Sequence, residues 1–235
     1  MSIAYISDIH GNATALEAVL EDIKQQNIDQ IVVLGDLCFR GPEPKKSLDL
    51  IRKLDAPVIK GNADAWVTRG IRIGEVPEKV IKMMREEQEW TCAQLTDDDM
   101  SYLRELPEQV TESIGDKKVY GFHATPDSLF EVVKPDSSDE DLRKAIMEKE
   151  EADIYLYGHI HTPYVRHIDG KTVANLGSVG LPFDEDPRAS YLIVNEEGPE
   201  IRKVSYDIDQ AVQKLYDHDY PQADLVANVY RTGKL

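Results

Sequence analysis

The chain is short of cysteine, of positive charge and of long apolar runs, and each shortage removes a class of protein. Its two cysteines, Cys38 and Cys92, stand far apart among 235 residues. Neither a disulfide framework nor a cysteine-rich zinc site can be built from them, and Cys38 reads as a small buried hydrophobe. No stretch approaches the ~18 apolar residues of a membrane helix. The opening MSIAYISDIHG reaches Asp8 and His10 too soon for a secretory leader. A cytoplasmic protein without membrane contact is therefore expected. Lys and Arg number 27 against 44 Asp and Glu, a formal charge of −17. That surface argues against broad binding to nucleic-acid backbone. It also repels any phosphate compound that local cations do not draw in.

Apolar patterning gives the organisation. IAYIS (3–7) and IVVLG (31–35) read as buried strands, with PVIKG (57–61) as a third. Between them lie two helices, one capped by Asn12 and carrying Leu16, Val19, Leu20 and Ile23, one opened by Pro44 and carrying Leu48, Ile51 and Leu54. A β-α-β-α-β opening implies parallel strands. Residues 64–106 read as a helical insertion, with Val80, Met83, Met84, Glu87 and Trp90 on one helix and Thr96 capping another. A hairpin around Gly115-Asp116 follows, then a helix near 138–150 and the strand DIYLYG. An antiparallel run comes next (YVRHI, KTVANL, SYLIVN, EIRKVSY), with turns at Asp169-Gly170 and Gly198-Pro199, and a helical tail starts near Asp207. The expected fold is α+β, a four-layer αββα sandwich of two mixed sheets flanked by helices, forming one domain over 1–235.

Chemistry-bearing residues collect where strands end. Asp8 and His10 follow the first strand, Asp36 the second and Asn62 the third. His123 follows the hairpin, and His159 and His161 follow DIYLYG. Side chains two apart in an extended segment share a face, so the last two imidazoles are expected to converge. In open α/β sheets ligands bind at that edge. Four of the six histidines lie there, and His167 and His218 do not. Seven oxygen and nitrogen donors suit two divalent ions sharing one carboxylate: Mn2+ first, with Fe, Zn2+ or Ni2+ as alternatives. Two such ions about 3.5–4 Å apart acidify a shared water and clamp phosphoryl oxygens for in-line attack.

The ordered set D-x-H, G-D, G-N, H, G-H-x-H resembles the calcineurin-like metallophosphoesterase superfamily, closest to its small phosphodiesterases and to the branch with diadenosine-tetraphosphate hydrolases and Ser/Thr phosphatases. The resemblance spans residues 1–63 and about 117–205. It implies one metal held by Asp8, His10 and His161, a second by Asn62, His123 and His159, and Asp36 bridging. Asp36, Asn62 and His123 would then be catalytic, with a metal-bridging hydroxide as nucleophile. The implied substrate is a small phosphorylated compound, nucleotides included. GDLCFRGPEP resembles the phosphatase branch's G-D-x-x-D-R-G, which would make Arg40 a phosphate contact, although Phe39 replaces that branch's second aspartate. NLGSVGLP (175–182) resembles the N-P-G-S loop, where Asn175 and Ser178 would hold shape.

One departure bears on mechanism. Many members read G-N-H-D or G-N-H-E, and that histidine protonates the leaving oxygen; here Ala63 occupies the place, followed by Asp64 as a helix N-cap or, less simply, a proton source. Missing general-acid catalysis costs roughly 10²–10⁴-fold, so leaving groups that depart unaided are favoured. The expected activity is hydrolysis of phosphodiesters or phosphoanhydrides. A phosphomonoesterase and a non-catalytic interaction module are the alternatives.

Overall fold

In β1 (Ile3–Ile6) alternate side chains part company. Ala4 and Ile6 join one buried cluster, Ile3 and Tyr5 another, and all four are fully buried. A strand apolar on both faces must lie between two layers. The computed structural model, which describes residues 1–235, supplies them. The first sheet has the order β2-β1-β8-β9, with β2 at Gln30–Val33, β8 at Ala189–Asn195 and β9 at Gly198–Val204. The second has the order β3-β4-β5-β7-β6, built from Gln109–Ile114, Lys117–Phe122, Ile154–Tyr157, Lys171–Asn175 and Tyr164–Ile168 for β3, β4, β5, β7 and β6. Both sheets are mixed: β1–β2, β4–β5 and β5–β7 pair parallel, the others antiparallel.

Between the sheets lie Ile3, Tyr5, Val32 and Leu192 from one side and Val119, Ile154, Leu156 and Ala174 from the other. On the first sheet's outer face pack α1 (Ala13–Lys24), α2 (Pro44–Arg52), α3 (Asn62–Arg69), α4 (Glu78–Ala93) and α5 (Asp97–Glu105). The second sheet's outer face is rich in tyrosine and carries a thinner cover, a single α turn, α6 (Asp139–Leu142), running into a π turn, Arg143–Met147. The αββα sandwich of two mixed sheets is therefore the fold. The tail, α7 (Ile208–Asp217) and α8 (Ala223–Thr232), packs around Leu181 and Tyr220, and Lys214 Nζ ties it to Glu43 at 2.7 Å.

Four expectations need correction. The strand at 57–61 shrinks to one bridge, Val33 to Val58, because Pro57 has no N–H to offer and Gly61 N, the donor after Ile59 on the side facing β2, goes to Asp64 Oδ2 instead. The helix near 138–150 stops at Met147. Leu142 and Ile146 anchor it, and the charged residues 148–151 supply no further apolar contact. The final four strands do not form one run. β6 and β7 belong to the second sheet, β8 and β9 to the first, and segment 176–188 crosses between them. The last turn falls at Glu196-Glu197, since Asn195 already pairs with Gly198.

Candidate metal centre

Strands β1, β2, β4 and β5 all deliver their C-terminal ends to one place, and the loops leaving them are stitched together by backbone hydrogen bonds. Asp8 N donates to Gly35 O and His10 N to Asp36 O, both at 3.0 Å, and Gly158 N donates to His123 O at 2.9 Å. The turns are sharp. Asp8, His10, Asp36, His159 and His161 all have φ between 49° and 67°, the left-handed region that non-glycine residues seldom occupy. Such strain concentrates where the surrounding structure serves a site. The shared-face argument for the two terminal histidines fails for this reason: extended chain ends at Tyr157, and both residues are left-handed. Their rings go to different partners.

His161 joins the first group. Its Nε2 lies 3.1 Å from His10 Nε2 and 3.1 Å from Asp8 Oδ1. Asp8, His10, Asp36 and His161 bring their donor atoms within 4.8 Å of one another, all buried, a grouping that could hold a metal ion. His159 joins the second group. Asn62 Oδ1 lies 2.8 Å from His159 Nδ1 and 2.9 Å from His123 Nε2. Asp36 stands between the groups, its Oδ2 3.6 Å from His10 Nε2 and 3.4 Å from His123 Nε2. All seven donors read from the sequence thus meet where the C-terminal ends of strands from both sheets come together, divided three and three around Asp36.

The protonation of the rings can be read from their outer bonds. His10 Nδ1 donates to Phe39 O at 2.8 Å, His123 Nδ1 to Leu34 O at 2.7 Å and His161 Nδ1 to Leu181 O at 2.5 Å. Carbonyls only accept, so each Nδ1 carries hydrogen and each ring turns its Nε2 inward. Burial, then the neighbouring His161, pushes His10 down to about 4. Burial, then His123, takes His159 to about 4 as well, and both rings stay neutral near pH 7. His123 goes the other way. Burial opposes its charge, but the charge and hydrogen bond of Asp36 raise it to about 10. Asp36 is raised by burial yet held well below the usual carboxylate range by His123, His10 and His159.

Asp64 is not the N-cap. It sits in the first turn of α3, and its buried carboxylate reaches back to Gly61 N at 2.8 Å, then on to Asp36 N at 2.8 Å and Leu37 N at 3.0 Å. Burial and the Asp36 charge push it up to about 7 against the pull of those amides. The spacing of a capping box gave a sign of the first contact; the other two join residues 27 and 28 positions apart. Ser178 takes similar part, donating to Asp8 O and accepting from Leu181 N, each at 2.7 Å. Asn175 Oδ1 accepts from Gly177 N and its Nδ2 donates to Gly158 O, which shapes the same loop. Phe183 stacks on His161 with ring centres 4.4 Å apart, a contact no sequence pattern announced. Arg40 adjoins Phe39, the carbonyl partner of His10, and its Nε lies 3.6 Å from Glu87 Oε2.

The chain is similar to known proteins. Residues 1–198 match the calcineurin-like phosphoesterase superfamily domain. The chain is 33% identical to the uncharacterized protein MJ0912 of Methanocaldococcus jannaschii across 94% of both. It is 31% identical over 130 residues to a symmetrical bis(5'-nucleosyl)-tetraphosphatase of Baumannia cicadellinicola, a match covering 53% of this chain and 42% of that one. A metallophosphoesterase from Sphaerobacter thermophilus superposes with a TM-score of 0.80 at 26% identity, covering 99% of each chain.

Proposed function

This chain belongs to the calcineurin-like phosphoesterase superfamily, and from that premise we propose that it is a metal-dependent hydrolase of phosphodiesters or phosphoanhydrides. One observation carries the reading. His10 and His161 bring their Nε2 atoms to 3.1 Å of each other, with Asp8 and Asp36 alongside, all four donor atoms buried and within 4.8 Å. Two imidazole nitrogens and two carboxylates drawn so close out of water form a cage that suits a shared cation. Asp8, His10 and His161 would hold one divalent ion and Asn62, His123 and His159 a second, with Asp36 Oδ2 reaching both. The donor set of imidazoles, carboxylates and one amide fits Mn2+, Fe or Zn2+. When bound, such ions supply Lewis acidity, lowering the pKa of water and neutralising phosphoryl oxygens.

The chain's own residues prepare the place. Carbonyls at Leu34, Phe39 and Leu181 fix three ring tautomers, and Asp64 fixes the turn that carries Asp36. Asp36 Oδ1 is occupied by the Ala63 N–H at 2.8 Å, so only Oδ2 faces inward. Ala63 has no proton to give a departing oxygen, which favours good leaving groups such as nucleotides and aryl oxides. The likeness to a bis(5'-nucleosyl)-tetraphosphatase supports a nucleotide phosphoanhydride among the substrates. The experiment is direct: purified protein with Mn2+ hydrolyses bis-p-nitrophenyl phosphate and stops on chelation. No turnover with any divalent ion would end this reading.

A further inference from the structure

A groove of 460 Å3 opens beside the second donor group, and its walls lead away from the donors themselves. One wall is α3, which starts at Asn62 and turns Ala65 and Arg69 into the groove. Asn62, Ala65 and Arg69 share one helical face, with Arg69 about 10 Å along the axis from Asn62. The loop leaving His123 brings Phe130 as a second wall. The third is the segment before β3, where the register that pairs Gln109 with Phe122 sets Glu108 abreast of His123. Lys60 braces two of these walls, its N donating to Pro107 O at 2.7 Å and its Nζ to Arg104 O at 2.9 Å.

The far end of the groove is a planar platform. Arg69 Nη1 and Nη2 donate to the two oxygens of Glu75 at 3.2 and 2.6 Å, and the guanidinium lies over the Phe130 ring, 5.4 Å from its centre. Trp66 backs the assembly, 5.8 Å from Phe130 between ring centres, and donates its Nε1 to the same Glu75. A guanidinium held at its edge by a carboxylate and on one face by a ring keeps the other face for stacking, and the Arg69 side chain remains 26% exposed. The cations nearer the donors are unspent. Neither Lys60 nor Arg104 has a carboxylate partner, whereas Lys149 takes Asp127 at 2.6 Å and leaves Glu108 as the groove's one unpaired acid. In a chain of charge −17, such a surplus of positive charge is a local reversal.

We propose that this groove is a nucleoside subsite, which stacks a nucleobase on the open face of Arg69 while Lys60 and Arg104 attract the sugar-phosphate joining it to the donor cluster. The inference rests on the phosphoesterase reading and deepens it by naming the substrate class, nucleotides rather than simple phosphate esters. The spacing of about 10 Å from Asn62 to Arg69 leaves room for a ribose between a phosphate at the donors and a stacked base. Stacking is tolerant of base identity, since every base has a π-face, so purines and pyrimidines are both accepted.

The test titrates the full chain, loaded with Mn2+, with AMP and with ribose 5-phosphate by calorimetry. The two ligands share a phosphate and a ribose, so the ratio of their affinities reports the base alone. The wild-type protein should bind AMP at least about fivefold more tightly. Arg69→Lys keeps the charge and loses the plane, and should bring that ratio close to one. Phe130→Leu removes the ring beneath the guanidinium and should lower the ratio part of the way; it carries the comparison if Arg69→Lys does not fold. Arg104→Gln, at an exposed position, should weaken both ligands severalfold and leave the ratio in place. A second readout locates the base. The chain has two tryptophans, Trp66 and Trp90, so in a Trp90→Phe background all indole emission comes from Trp66, and AMP should change it where ribose 5-phosphate does not. A wild-type protein with no preference for AMP, a ratio unmoved by Arg69→Lys, or Trp66 emission blind to AMP would each overturn the proposal. So would Arg104→Gln without effect on either ligand. Absence of Mn2+ binding and of all hydrolysis sinks the proposed function instead, an outcome distinct from an active enzyme that takes AMP and ribose 5-phosphate alike.

Discussion

The Asp64 carboxylate accepts the backbone N–H of Asp36 at 2.8 Å, so one buried acid holds the turn that aims the other. Three amides converge on its two oxygens. Asparagine has one oxygen and would turn an NH2 group toward at least one of those donors. Leaving a buried donor unmatched costs about 1–3 kcal/mol. Asp64→Asn is expected to lose that much stability in urea unfolding and to bind Mn2+ more weakly. A variant as stable as the parent would show that the amides do not depend on the carboxylate.

His123 carries the pH prediction. In the metal-free protein its pKa is raised from 6.5 to about 10 by the charge of Asp36, against the opposing effect of burial. The folded state therefore keeps a proton that the unfolded chain releases near 6.5. The resulting stability is complete below about pH 6.5 and is lost as pH rises toward 10. That proton occupies the position of a cation, and metal binding near pH 8 must expel it. Calorimetric titration with Mn2+ in two buffers of different ionisation enthalpy should report release of about one proton. Binding without release would contradict the assignment.

Gly61 tests how tightly the Asp36 turn is packed. A Cβ there would stand 2.1 Å from Asp36 Oδ1 and 2.5 Å from Asp36 N, although the backbone angle of −101° suits any residue. The cost of Gly61→Ala is thus steric, and forced overpacking typically costs about 1–3 kcal/mol. Because the displaced group is the central carboxylate, Mn2+ affinity should fall more than stability does. Equilibrium dialysis beside thermal unfolding separates the two effects.

Ala63 predicts a steep dependence on the leaving group. Without a proton donor at that position, rates across a series of aryl phosphodiesters should fall strongly as leaving-group pKa rises. A family member with histidine there should show a flatter line, since general-acid help is worth roughly 10²–10⁴-fold with poor leaving groups. A flat line for this protein would point to another proton source.

The seven donors were legible in the sequence because each follows an apolar run; parallel pairs β1–β2 and β4–β5 each deliver their ends to one edge, and the stacking of the two sheets brings those edges together. The sandwich was legible from β1 and β2, whose side chains are apolar on both faces. What escaped were contacts between residues far apart in the chain. Glu87 looked like one more position on an amphipathic helix, although its partners lie 47 positions before it and 133 after it. The convergence of His159 and His161 was read from strand alternation, which stops at Tyr157. Their true arrangement comes from two left-handed residues whose rings separate onto two groups. The strand at 57–61 failed through Pro57, a residue whose missing donor was visible but whose place at the sheet's edge was not.

The central claim is that these donors hold two cations around one carboxylate. A crystal grown with Mn2+ and measured at the manganese absorption edge tests it most directly. The account predicts two anomalous peaks, one among Asp8, His10 and His161, the other among Asn62, His123 and His159, both in contact with Asp36. An empty cluster, or manganese bound elsewhere with Asp36 bare, would contradict it.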